Sequence, residues 1–268
     1  MATKRTLLQS FTTPFGEIPS AAALVAACIV WALVLGVWAI ASYGGYVADM
    51  FLPVPDAVIR RGISLASDGT LFVHIWSSVK VVILGFLLSA VIAVPLGIAM
   101  GAHKGIEAFL EPFVSFCRYL PASAFIPLLI LWAGIGEMQK VLVIFIGSVF
   151  QILLMVAVSV GSARKDLVEA AYTLGAQPSG IVKRVLIPGA APEIAEILRL
   201  VLGWAWTYVI VAELIGSSSG IGHMITDSQS LLNTGQIIFG IIVIGLIGLI
   251  SDFAFKALNR RLFAWSSL

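Results

Sequence analysis

The groups in this chain that could do chemistry are few and widely spaced. His74, His103 and His223 are scattered over loops and the edges of apolar runs, so no metal-ligating set and no nucleophile–base pair emerges. Cys28 and Cys117 lie in or beside apolar runs and read as small buried hydrophobes. There is no GxxxxGK[ST] phosphate loop; the nearest glycine-rich piece, SSSGIG at 217–222, lacks the lysine. What remains is the chemistry of binding and of force. Arg118 and Arg199 sit near the ends of apolar runs, where a charge either serves function or snorkels and pairs locally; Glu196, three residues before Arg199, is a suitable helix partner. Thr207 and Tyr208 could offer hydroxyls to an anion. Glu213 could hold backbone N–H groups of the glycine-rich piece, or act as a gate or a protein contact. Pro121 and Pro127 break a helix at membrane depth, either to line a pathway or only to improve packing. Trp204 and Trp206 read as bundle packing.

The densest signals lie in one polar block, DLVEAAYTLGAQPSGIVKRVLIP, at 166–188. Asp166 and Glu169 have the spacing of a capping box. Leu167, Ala170, Ala171 and Leu174 then fall on one helical face, flattened by its alanines so that another backbone can approach. Gly175 stands where a helix needs a left-handed residue beyond its C-cap. Pro178 suits the start of a second short helix, and Pro188 is expected to stop it. The block is open to three readings: a solvated connection, a DNA-binding helix-turn-helix, or a docking element for a partner that pushes on neighbouring helices. The second would need a third helix and a core of its own, which the flanking apolar runs do not leave room for.

The elements that must position these groups are membrane helices. The chain is 60% hydrophobic and 11% charged, with a mean hydropathy of +1.05, whereas soluble chains are roughly a quarter charged. A bilayer core about 30 Å thick takes about 20 apolar residues. Six runs qualify: 21–41, 79–101, 119–136, 141–161, 194–216 and 237–255. The first is too long for the apolar part of a cleaved signal and reads as a retained span. With the N-terminus inside, only Arg60, Arg61, Lys80 and Lys140 of the sixteen basic residues fall outside, so both termini and the polar block are expected in the cytoplasm. Residues 1–20 then form a cytoplasmic tail and 21–268 one transmembrane domain with a cytoplasmic segment at 164–188. Outside, Asp56 is expected to cap a short amphipathic helix from Ala57, with Ile59, Ile63 and Leu65 at the membrane surface.

Glu-Ala-Ala at 169–171, Gly175, and VLIP ending at Pro188 resemble the EAA signature of bacterial ATP-binding-cassette importer permeases, with Val185 and Ile187 as conservative departures. FLPVPDAV, PLGIAMG, RYLPASAFIPLLILWAGIGE and VAELIGSSSGIG extend the resemblance from Phe51 onward to the subfamily that imports nitrate, taurine, alkanesulfonates, bicarbonate and related anions. Ala122–Ser123–Ala124 between Pro121 and Pro127 departs from the subfamily's pattern. The resemblance implies an all-α polytopic permease of MetI-like fold in the bacterial inner membrane, with about six spans. It implies a homodimer, two ATPase subunits that bind ATP and Mg, and a periplasmic or lipid-anchored binding protein that delivers a small anion; membrane lipid surrounds the pair, and nucleic acid has no role. Glu169, Ala170, Ala171, Gly175 and Pro188 would form the segment that couples to the ATPase. Arg118, Pro121, Pro127, Arg199, Thr207, Tyr208 and Glu213 are the pathway candidates. The chain itself would hold no cofactor and no metal, and would not be an enzyme. A secondary transporter or an intramembrane enzyme are the alternatives; the first usually shows an internal duplication and the second a catalytic constellation, and the sequence displays neither.

Overall fold

The computed structural model describes residues 18–215 and 217–265, and every regular element among them is helical. Residues 1–17, including Lys4 and Arg5 of the expected tail, lie outside the described residues, as do Gly216 and 266–268. The chain divides into two compact units between Arg61 and Gly62.

In the first unit, α1 (Ser20–Tyr43) is apolar and exposed along most of its length, as a helix bathed in lipid should be, with only Ser42 in its last turn buried. Its last turn is tied to the following segment: Trp38 Nε1 donates to the Pro53 carbonyl at 3.0 Å and the Tyr43 hydroxyl to Asp56 at 2.7 Å. The expected cap at Asp56 does not form. Helix α2 (Pro55–Ser67) starts one residue earlier, on a proline whose fixed φ and missing donor suit a first turn. Asp56 instead accepts from Tyr43, which holds its carboxyl below the usual range, and pairs with Arg60.

The second unit is built on α3 (Thr70–Ala102) and α6 (Glu137–Gly161). Gly85, Ser89, Ala93, Gly97 and Gly101 repeat every fourth residue along α3 and form one stripe of small side chains. A Cβ at Gly97 would stand 2.7 Å from the Leu153 carbonyl oxygen, and one at Gly85 2.7 Å from Ile144 Cβ, so the two backbones pack at closest approach. Ser89 Oγ adds a cross-helix bond to the Phe145 carbonyl at 3.2 Å. Against this pair lies α9 (Ile187–Glu213), through Ile194, Ile197 and Val201. α10 (Ile221–Ser230) and α11 (Thr234–Leu262) complete the unit. Leu65 packs with Leu71, Ile221, Met224 and Val243, so it belongs to the core and not to the membrane surface where the sequence placed it; Ile59 and Ile63 are exposed.

Among the described residues five helices are long and apolar enough to cross a membrane, and a sixth crossing requires a bent pair. That pair corrects the expected span at 119–136. Helix α4 (Lys104–Cys117) and the segment Ala122–Ala133 meet at 80°, the latter being a 3₁₀ turn followed by α5 (Ile126–Ala133). Pro121 precedes the 3₁₀ turn and Pro127 lies in the first turn of α5, so each proline begins a helix where its missing N–H costs no bond, instead of kinking one from within.

Pro188 is a second correction: it does not stop a helix. After α7 (Lys165–Thr173) and α8 (Pro178–Ile181), a π turn at Val182–Leu186 runs directly into α9. The Ile187 N–H reaches back to the Val182 carbonyl, and this wider turn gives the Pro188 ring room in the first turn of α9.

Candidate functional site

Three places gather the residues singled out from the sequence. The first is the turn between α6 and α9. No residue of α7 is buried, and its apolar side is bare: Leu167 is 50% and Leu174 88% exposed, with Ala170 and Ala171 on the same face. The expected capping box is absent. The helix starts at Lys165, so Asp166 lies within its first turn instead of at the N-cap; Arg164 binds Asp166 at 2.5 Å, holding its pKa below the usual range, and no side chain caps the N-terminus. The other end is closed firmly. Gly175 is left-handed at φ +78°, its N–H bonds the Tyr172 carbonyl, and the Ala176 N–H bonds the Ala171 carbonyl, a double closure that ends α7 sharply. The exposed Glu169 side chain has no bonding partner among the described residues.

The second is a cavity of about 340 Å³ beside the break between α4 and α5. Arg118, Pro121, Thr207 and Tyr208 all line it, so four of the seven pathway candidates share one space. The Tyr208 ring enters because residue 147 is glycine; a Cβ there would stand 2.7 Å from the ring. Ser123 and Gln151, not singled out from the sequence, add polar groups. Gln151 was detectable as an amide midway along an apolar run.

The third is the turn between α9 and α10. Glu213, 1% exposed, accepts from Ser78 Oγ at 2.8 Å and from the Gly222 N–H at 2.8 Å. Ser78 Oγ accepts from the Ile221 N–H at 2.9 Å and His74 Nδ1 from the Gly220 N–H at 3.2 Å. Three successive N–H groups at the start of α10, which no helix can bond for itself, thus find side chains from α3 and α9. Lys140, 3% exposed, donates to the Ser219 carbonyl at 2.9 Å. Gly220 is left-handed, and any side chain there would strike the Glu213 carboxylate. Sequence reasoning missed Ser78 and Lys140; a lysine four residues into an amphipathic helix start carries no sign of burial, and a serine in an apolar helix is common.

Arg199 and Pro127 lie apart from the cavity. Arg199 bonds Glu196 through Nε at 2.9 Å and also meets Asp252 on α11, which Lys256 approaches at 3.1 Å. With two carboxylates its charge is balanced within the bundle.

Residues 93–264 match the family described as "Binding-protein-dependent transport system inner membrane component". The chain is 34% identical over 234 residues to the "Putative aliphatic sulfonates transport permease protein SsuC" of Bacillus subtilis (strain 168), covering 87% of this chain and 85% of that protein. It is 32% identical to the "Taurine transport system permease protein TauC" of Escherichia coli (strain K12), covering 87% of each. It is 27% identical to the "Nitrate import permease protein NrtB" of Synechocystis sp. (strain ATCC 27184 / PCC 6803 / Kazusa), covering 82% of each. Among solved structures, the inward-facing MetNI methionine ABC transporter aligns with a TM-score of 0.66 at 19% identity, over 73% of this chain and 97% of that one, a likeness of fold.

Proposed function

The chain belongs to the family of binding-protein-dependent transport system inner membrane components, and from that premise we propose that it forms half of the translocation pathway of an ATP-binding-cassette importer for a small anion. It is a multi-pass membrane permease and not an enzyme. The cargo in this reading is a sulfonate, taurine, nitrate, bicarbonate or a related anion. A second copy completes the pathway, two ATPase subunits bind ATP and Mg, and a periplasmic or lipid-anchored protein delivers the cargo. The bacterial inner membrane holds the assembly with both termini and residues 164–188 in the cytoplasm.

The observation that carries this reading is α7. An amphipathic helix that leaves its apolar face bare while its C-terminal end is firmly closed is built to be covered by something else. Glu169, Ala170, Ala171 and Gly175 present that surface, and the unbroken path from Pro178 through Pro188 into α9 gives a push on it a continuous route to the spans. Swinging a two-state equilibrium from 1:99 to 99:1 takes about 5.5 kcal/mol of differential binding, which a frayed connection would dissipate.

The test is ATP hydrolysis by the reconstituted complex. Replacing Glu169 with Lys or Gly175 with Val is expected to lower hydrolysis stimulated by the loaded binding protein at least about tenfold, equivalent to about 1.4 kcal/mol of coupling. Unchanged stimulation in both variants removes the coupling assignment.

A further inference from the structure

We propose that the cavity at the break between α4 and α5 is a binding site in the permease itself for a small organic oxyanion, anchored by the Arg118 guanidinium. The inference rests on the importer reading and gives that pathway a fixed stopping place with a stated chemistry.

Among the described residues Arg118 has no carboxylate partner. Its Nε is buried and meets no hydrogen-bond partner. Its Nη2 donates to the Tyr119 hydroxyl at 2.7 Å and the guanidinium lies 4.6 Å from that ring's centroid, contacts that orient the group without neutralising it. Among the described residues no carboxylate lines the cavity. Arg199 shows the opposite arrangement, between Glu196 and Asp252. A cation held at the end of a membrane helix without a counter-charge is costly, and an oxyanion matches the forked geometry of its donors.

The rest of the lining selects among anions. The hydroxyls of Ser123, Thr207 and Tyr208 and the Gln151 amide face the same space and make no bond to another described residue. The remaining wall is largely apolar and includes Leu120, Val143, Ile146, Phe150 and Val211. A space of about 340 Å³ exceeds what a bare nitrate fills, so a bare inorganic anion leaves apolar wall against water. An oxyanion with a short carbon body satisfies Arg118 and covers that wall at once. A cation of the same size is repelled.

Cys117 lines the same cavity next to Arg118, while Cys28, the other cysteine, lies on α1. In the assembled transporter carrying Cys28→Ser, labelling of Cys117 by an anionic sulfonatoethyl methanethiosulfonate is compared with labelling by its trimethylammonium analogue. Arg118→Gln is expected to reduce the anionic rate relative to the cationic one by about tenfold or more, the scale of one unscreened charge a few ångströms away. Arg118→Lys keeps most of the preference. Butanesulfonate slows the labelling at lower concentration than nitrate does. The same rate ratio in the Arg118→Gln and parent proteins overturns the site, and equal protection by nitrate overturns its organic character. If Cys117 reacts with neither reagent, Ser123→Cys in a chain lacking both native cysteines becomes the reporter, and silence there too overturns the site. Co-purification of the ATPase from the same samples separates the two ideas. An intact assembly without charge preference removes the anion site alone, whereas a permease that captures no ATPase removes the importer reading.

Discussion

The turn between α6 and α9 and the turn between α9 and α10 join long helices at opposite ends of α9, yet they are finished in opposite ways. In the second, four side chains from three helices hold the backbone of Ser219–Gly222, and the Glu213 carboxylate is nearly sealed from solvent. In the first, the helix carries no buried residue and its apolar face is largely open. A turn that satisfies itself has no need of a partner. A turn that stops short of doing so, while keeping its backbone in order, offers the surface that we propose the ATPase covers.

The sharpest way to break this contrast is to unmake the sealed turn. Glu213→Ala leaves Ser78 Oγ and the Gly222 N–H without their acceptor, at about 1–3 kcal/mol for each orphaned group. The detergent-solubilised protein should lose several degrees of melting temperature, and Glu213→Gln, which keeps one acceptor oxygen, should lose less. An unshifted melting curve for Glu213→Ala would mean the turn is held by something other than this carboxylate.

Next in size is a change on the open turn that stability measurements should barely register. Leu174→Glu places a charge on a side chain already 88% exposed, so the permease alone should keep its stability within about 0.5 kcal/mol. Capture of the ATPase should fall by at least about tenfold, the effect expected when a contact at the centre of an interface is lost. A drop in melting temperature with capture intact would invert the comparison.

Smallest of all is the Arg164–Asp166 pair. Arg164 depresses the Asp166 pKa, so the pair stabilises the folded chain above the ordinary carboxylate range, and that contribution disappears as pH falls through the lowered value. Both side chains are mostly exposed, and solvent screens such pairs to little effect. Melting temperatures of the parent and Asp166→Asn should therefore coincide at pH 7 and at pH 4. A separation present at neutral pH and closing in acid would show that α7 is tied down more firmly than its exposure indicates.

Long-range apolar periodicity made most of the spans legible, because a helix that faces lipid must be apolar throughout and little else in a sequence is. The left-handed Gly175 was legible for a local reason: few residues other than glycine close a helix that way. Proline was read less well. Read from sequence, Pro121, Pro127 and Pro188 each suggest an interruption, yet each stands at or near a helix start, since the ring's effect depends on which neighbour would have received the missing bond. The grouping of Arg118, Pro121, Thr207 and Tyr208 around one cavity is a product of tertiary packing, which brings residues as far apart as 118 and 208 onto shared walls. The α3 stripe was within reach, as small residues at every fourth position, but is masked by the abundance of alanine and glycine in apolar segments.

That stripe has a mechanical corollary. Two rods pressed together along five small residues have no side-chain cushion between them and cannot slide or roll without collision. Helices α3 and α6 therefore travel as one girder. Whatever rearrangement the transport cycle demands must be taken up where the backbone is already irregular, at the 80° elbow around residue 118 and the loosened coil at 182–186.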